Sequence, residues 1–294
     1  MKEKMSGMAQ LISAMLIFGT IGIAVHYIPL PSGMIAFVRG AVGTAFLLLF
    51  CVISGKKLSW RAIKRNLALL FVSGGLIGVN WILLFESYRY TTVAAATLSY
   101  YMAPVFVVIA SPFVLKERVT LKRGICAAAA FIGMFLVSGV AESGFTGFAG
   151  ILLALGAALI YAAVVLMNKF LKEIGSLERT IMQLASSAAV ILPYALLTAD
   201  FPTIELNPTV IILLLVVGIV HTGLAYTLYF GALGRLDAQT SALFSYIDPI
   251  AAVILSAVIL GERLSALGII GAVMVIGSAA VSELPLFEKG KEKV

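Results

Sequence analysis

Tyr246-Ile-Asp-Pro-Ile-Ala251, followed by Leu260-Gly-Glu-Arg-Leu264, is the stretch on which the architecture turns, because the chain carries it twice. A shift of 145 residues, from 101 to 246, lays it on Tyr101-Met-Ala-Pro-Val-Phe106. The same shift lays Glu262-Arg263 on Glu117-Arg118 without a gap, and further back it lays Phe230 on Phe85 and Tyr226 on Trp81. After a one-residue deletion Gly268 meets Gly124 and Gly277 meets Gly133.

Both copies sit in sequence that water could not hold folded. Of 294 residues, 61% are hydrophobic and 12% charged, and the mean hydropathy is +1.08. Soluble domains carry about twice that share of charge, so the solvent of this chain is lipid, where helices satisfy their own backbone groups. At about 20 apolar residues per crossing, the sequence divides into ten spans: 8–28, 32–54, 66–86, 93–115, 121–139, 147–169, 178–198, 208–231, 240–260 and 265–284. Turn or charge signals separate them, among them Pro29-Leu-Pro31, Gly55-Lys-Lys57, Glu142-Ser-Gly144, Asp200-Phe-Pro202 and Gly261-Glu-Arg263. The run after Met1-Lys-Glu-Lys4 is too long for a signal-peptide core and reads as the first span.

The fold class expected is therefore an all-α membrane protein of ten transmembrane helices. With the N-terminus inside, 18 of the 21 Lys and Arg fall in cytoplasmic segments; Arg89 and Arg263 fall outside and Arg39 lies within a span. That asymmetry is the positive-inside pattern, and it places both termini in the cytoplasm and the protein in the cell membrane. The net charge of +7 is explained by those loops, so no nucleic-acid partner is inferred. Spans three to five repeat as eight to ten, so each repeat has five spans. An odd number inverts the second copy: residues 1–143 form one repeat and 144–294 its inverted counterpart. Inverted repeats recur in secondary transporters, with the substrate near the midplane between the halves.

Tyr246-Ile-Asp-Pro249 with Leu260-Gly-Glu-Arg-Leu264, and its echo Tyr101-Met-Ala-Pro104 with Leu115-Lys-Glu-Arg118, resembles the EamA-type transporters of the drug/metabolite transporter superfamily over essentially the whole chain. The resemblance includes the Arg in the second span, Arg39. It implies ten helices around a central cavity lined by spans one, three, four, six, eight and nine, and export of amino acids or amphipathic compounds. Ala103 departs from the pattern, since relatives often carry a polar or acidic residue before that proline.

Charged side chains inside a bilayer mark the places to examine first. Asp248 lies inside span nine on a polar stripe with Ser241, Ser245 and Ser256; it reads as a cargo ligand or proton carrier, or else as a structural acid beside Pro249. Arg39 reads as the partner of Glu86 in a structural ion pair, or else as a carboxylate site. Span three offers Asn80 and Trp81 beside a Gly74/Gly78 close-packing face. Tyr100, Tyr101 and Tyr161, with Tyr226 beside Thr222 and Tyr229, are mid-span aromatics that suit a cargo cavity; His221 suits the same cavity or a helix–helix hydrogen bond. Tyr27, Trp60, Tyr88 and Tyr194 read as interfacial belt residues. Pro104 and Pro249 each free a backbone carbonyl and are candidate hinges.

Cys51 and Cys126 lie in apolar runs with neither metal nor disulfide spacing. No nucleotide-binding motif and no HExxH or GxSxG is present. The expectation is a secondary transporter without cofactor or metal, not an enzyme. Its partners are a small-molecule substrate, the bilayer and a candidate coupling proton, and it acts as monomer or homodimer. A receptor or regulatory subunit and an intramembrane enzyme are the rival classes.

Overall fold

The computed structural model describes residues 2–116, 121–137, 147–199, 206–233, 235–236, 244–245, 247–262 and 264–283. Glu117-Arg118, the 142–145 turn, Pro202, Ser241, Tyr246, Arg263 and the C-terminal basic residues lie outside them.

Among the described residues the chain is helical and contains no strand. The first half comprises α1 (Lys2–Gly19), α2 (Ile21–His26), α3 (Ser32–Ile53), α4 (Trp60–Ser87), α5 (Val93–Tyr100), α6 (Ala103–Val114) and α7 (Leu121–Val137). The second comprises α8 (Phe148–Asn168), α9 (Ser176–Thr198), α10 (Pro208–Leu215), a π-helical segment (Val216–Leu224), α11 (Ala225–Leu233), α12 (Ile247–Leu255) with its π-helical continuation (Ser256–Leu260), and α13 (Ala266–Glu283). Seven helical stretches are long and apolar enough to cross a membrane. Three more, Gly124–Val137, Ile247–Leu260 and Ala266–Ser278, are apolar but shorter.

Several expected spans are not continuous helices. The first breaks at Thr20, between α1 and α2, and the fourth at Tyr101-Met102, between α5 and α6. The eighth changes register to a π-helix over Val216–Leu224. In the opposite sense α4 exceeds its expected span: 28 residues extend about 42 Å, against a hydrocarbon layer of about 30 Å. Its first turns carry Arg61, Lys64 and Arg65, all exposed. There Asn66 clamps the loop between α8 and α9, donating to the Lys172 carbonyl at 2.8 Å and accepting from the Lys172 N–H at 2.9 Å.

The bundle is apolar outside as well as in its packed core, and buried polar side chains are the minority. Val52, Phe113, Leu121, Leu197 and Val258 are each more than 70% exposed, a surface only lipid can cover. Four buried serines spend their protons within their own helices: Ser73 on Leu70, Ser87 on Leu84, Ser99 on Ala95, Ser256 on Val253.

Glycines set the closest approaches. Gly74 and Gly78 lie against Gln183, Ser186, Ser187 and Ile191 of α9, where an added Cβ would fall within 2.5–2.6 Å of the nearest atom. Gly133 of α7 and Gly271 of α13 each face the other's carbonyl oxygen. Helices α4 and α9, α4 and α8, α3 and α9, and α7 and α13 are the most extensively packed pairs.

Candidate functional site

Where the broken helices converge, the bundle holds a partly open cavity of about 310 Å³. Its wall includes Met15, Phe18, Gly19 and Gly22 from the first span, Arg39 from α3, and Ile77, Trp81, Leu84 and Tyr88 around α4. Thr97, Tyr100, Tyr101, Ala103 and Pro104 come from the fourth span, Tyr161 from α8, Tyr226 and Tyr229 from α11, and Ser245, Asp248 and Ala252 from the ninth. Gly19 lets α1 cross directly over α12, since a Cβ there would meet Ala251 at 2.8 Å and the Asp248 carbonyl at 2.9 Å.

Arg39 does not pair with Glu86. Its Nε–H donates to Thr222 Oγ1 at 3.1 Å, and its Cζ lies 4.2 Å from the centre of the Trp81 ring. Glu86 instead accepts from Ser32 Oγ and lies 3.4 Å from Arg89. The expectation counted span positions toward the outer surface; what it could not see is that Trp81, one helix away, offers the guanidinium a flat aromatic face. The π register matters here. Thr222 Oγ1 donates to the carbonyl of Val217, five residues back, at 3.0 Å, and so presents its lone pairs to Arg39.

Asp248 occupies the first turn of α12 and accepts the Tyr101 hydroxyl at 2.6 Å through Oδ2. Tyr101 sits at the break between α5 and α6, where the chain leaves α-helical geometry just before Pro104. Tyr100 lies 5.6 Å, centre to centre, from Tyr161, and Phe18 lies 5.4 Å from Tyr226. Tyr161 is 40% exposed although its ring belongs to the cavity wall.

Two proposed wall residues stand behind the wall. Asn80 is 1% exposed; its amide donates to the Ala157 carbonyl at 2.6 Å and its oxygen meets the Tyr100 hydroxyl at 3.4 Å. It joins α4 to α8 and positions Tyr100. His221 lies 3.2 Å from the Val216 carbonyl through Nδ1 and 2.8 Å from Thr20 Oγ1 through Nε2. A carbonyl only accepts, so Nδ1 carries a proton, while the single hydroxyl proton of Thr20 lies between the Ile17 carbonyl at 2.7 Å and Nε2. His221 therefore staples the break in the first span to the π segment. Pro104 lines the cavity, whereas Pro249 is buried outside it.

Tyr88 is the opposite case. Its place at a span end suggests an interfacial belt, yet it is 9% exposed and lines the cavity. Tyr27, Trp60 and Tyr194 are exposed. Phe18, Thr97 and the glycines of the first span carry no chemical signal, and only helix packing brings them to the wall. Among the described residues no cluster of three or more His, Cys, Asp or Glu could hold a metal ion.

Beside the cavity the loop after the second π-helical segment meets the N-terminus of α5. Gly261, at φ +69°, turns the chain in a conformation that favours glycine. Glu262 then accepts the N–H of Val93 at 3.0 Å and of Ala94 at 3.2 Å, while Thr92 Oγ1 accepts that of Ala95 at 3.1 Å. Three otherwise orphaned donors of α5 are thereby satisfied. Beside them Gly22 lies against Val93 and Tyr88.

The model of the EamA-like transporter family matches the chain twice, over residues 5–139 and 148–283. The chain belongs to the EamA-like transporter family. It is 28% identical over 286 residues to the uncharacterized transporter YxxF of Bacillus subtilis (strain 168), covering 96% of this chain and 90% of the relative. It is 25% identical to an uncharacterized transporter of Archaeoglobus fulgidus, covering 94% and 96% of the two chains. To protein PecM of Dickeya dadantii (strain 3937) it is 27% identical, over 76% of each chain. A solved crystal structure shares the fold with a TM-score of 0.65 at 20% identity, covering 95% of this chain and 97% of that one. The EamA-like chain is thus a multi-pass helical membrane protein.

Proposed function

We propose that this protein is a secondary transporter that carries a small metabolite, an amino acid or an amphipathic compound, out of the cell by alternating access. The observation that carries the proposal is the cavity itself: a chamber inside a lipid-facing bundle, walled by helices of both halves, holding a cation from one half and an anion from the other. A fixed charge that deep in a membrane protein is costly and marks a pathway or a binding site.

Ten spans arranged as inverted repeats, residues 1–143 and 144–294, suit this function. Two features support them: the double match of one family model and the pairing of the helices. Helix α4 packs on α8 and α9, as the π segment with α11 packs on α1 and α3. Helix α1 meets α12 as α8 meets α5 and α6, while α3 with α9 and α7 with α13 are their own mirror partners. Two halves of opposite orientation can exchange conformations, turning an inward-open state into an outward-open one.

With both termini cytoplasmic and the protein in the cell membrane, the end of the cavity at Tyr88, Thr97 and Gly22 is the outer one. Glu262 on the N-terminus of α5 then acts as an outer latch, released when the cavity opens outward. Pro104, at the broken fourth span, and Pro249, in the first turn of α12, serve as the matched hinges. Asp248 carries the coupling proton or holds the cargo, and the working unit is a monomer or homodimer.

The test is flux. Purified protein in proteoliposomes, loaded with a metabolite panel and given an imposed proton gradient, is expected to release one chemical class faster than protein-free vesicles. Release indistinguishable from empty vesicles across the panel, by protein shown to be folded, overturns the proposal.

A further inference from the structure

Two adjacent side chains of the π segment reach out of it to different helices. Thr222 accepts the Nε–H of Arg39 at 3.1 Å, and His221 Nε2 lies 2.8 Å from Thr20 Oγ1, at the break in the first span. Both also bond backwards over five residues: Thr222 donates to the Val217 carbonyl at 3.0 Å, and His221 Nδ1 lies 3.2 Å from that of Val216. Elsewhere in the bundle Thr44, Thr180, Thr198 and Thr227 bond four residues back, at 2.7–2.9 Å. The π turn, the cavity's cation and the break in the first span therefore share one set of bonds.

A π turn holds one residue more than the α turn it replaces, and such turns gather at functional sites. The sequence repeat offers the alternative. Its shift of 145 residues lays 216–224 on 71–79, where α4 runs as an uninterrupted α-helix. When the π segment winds to α, every residue beyond it advances one place, a turn of about 100°. Ala225 comes to the place of Tyr226, Leu228 to that of Tyr229, and Thr222 to that of Gly223. Gly223 lies against the Phe46 ring of α3, which leaves no room for a Cβ. The segment is thus α only when lifted off α3, so register and seating change together. Arg39, itself on α3, holds Thr222 in the present arrangement.

We infer that Val216–Leu224 is a register switch: when Arg39 leaves Thr222 for cargo, the segment winds to α, lifts from α3 and carries Tyr226 and Tyr229 off the cavity wall. Loss of the same turn releases His221 from Thr20 and frees the first span at its break. The inference rests on the cavity being the transport site and adds the element that moves.

Deletion of Ile219 separates a switch from a mere packing fit. It removes the extra residue, so His221 and Thr222 come to lie four residues from Val216 and Val217, and the contacts on either side are kept in an α-helix. What it takes away is the slack the switch uses. The full-length deletion variant is expected to melt like the wild type and to lose counterflow in proteoliposomes preloaded with the metabolite panel.

A second measurement needs no cargo. With both free cysteines, Cys51 and Cys126, replaced by Ala, Leu228→Cys and Tyr229→Cys are introduced singly and reacted with N-ethylmaleimide. Thr222→Val removes both hydroxyl bonds at constant shape. It is expected to lower the rate at position 229 and raise it at 228, changing their ratio roughly tenfold, the worth of a hydrogen bond to a charged group. Thr222→Ser keeps the hydroxyl and should label like the wild type. With Ile219 deleted, Thr222→Val should leave the ratio unchanged, because no extra residue remains to move.

A folded deletion variant that exchanges like the wild type overturns the switch. So does a deletion variant that fails to fold, or a labelling ratio indifferent to Thr222→Val. Misfolding of Thr222→Val leaves the deletion to decide. The transporter reading fails separately: the expected labelling without exchange by the wild type leaves the switch standing and removes transport, whereas equal exchange by wild type and deletion variant keeps transport and removes the switch.

Discussion

Tyr101 and Asp248 form a hydrogen bond of 2.6 Å between the two copies of one sequence motif. The tyrosine that opens the first copy reaches the aspartate of the second. The position matching Asp248 in the first copy is Ala103, which lines the same cavity without charge. The two copies of one motif thus bring unlike side chains to the same chamber, and the bond joining them lies at the break between α5 and α6.

Tyr101→Phe keeps the ring and removes that donor. The expected result is a folded protein with cargo affinity lowered about tenfold, the worth of a hydrogen bond to a charged group, measured beside the melting temperature in detergent. Unchanged affinity would show that Tyr101 does not position Asp248 for cargo.

Glu262 ties the second half to the N-terminus of α5. Glu262→Ala removes both acceptors and costs about 0.5–2 kcal/mol, as loss of a helix cap does. If the latch closes the outer end, a cysteine at Thr97 becomes more accessible to a membrane-impermeant thiol reagent from outside in the Ala variant. Equal labelling with and without Glu262 removes the latch from the mechanism.

The crossing of α7 with α13 has no room for a side chain at Gly133 or Gly271. Gly271→Leu is expected to destabilise the folded protein by about 1–3 kcal/mol through overpacking, read as a fall in melting temperature. Gly277→Ala, with nothing within 4 Å of its added Cβ, is the control and should melt like the wild type.

Orientation has its own check. A cysteine replacing Gly290 should label only from the cytoplasmic side and one replacing Ser143 only from outside. Either labelled from the opposite face contradicts the assigned topology.

How much of this was legible before the structure depends on distance along the chain. Apolar spans and the Gly74/Gly78 face are properties of single helices, and periodicity suffices for them. Trp81, Tyr100, Tyr101, Tyr161, Tyr226, Ser245 and Asp248 could be nominated because mid-span aromatics and an intramembrane acid need partners, and all line the cavity. Asn80 and His221 met the same criteria but bond to neighbouring helices instead; spacing assigns a helix face, not whether a helix or a void lies opposite. Tyr88 was hidden by its place at a span end. The partners of Arg39 were hidden because Thr222 lies 183 residues away, in a π segment that no glycine or proline pattern announces.

The central claim is that this charged cavity is the route of the cargo. Its most direct test is counterflow by purified wild-type and Asp248→Asn protein in proteoliposomes preloaded with the metabolite panel, with the melting temperature of each recorded. Asn keeps the size and most hydrogen-bonding capacity of Asp but can neither carry the charge nor release a proton. The account predicts saturable exchange by the wild type and, in an Asn variant of unchanged melting temperature, exchange reduced about tenfold or more or stripped of its pH dependence. Equal exchange with the same pH profile in both proteins would contradict it.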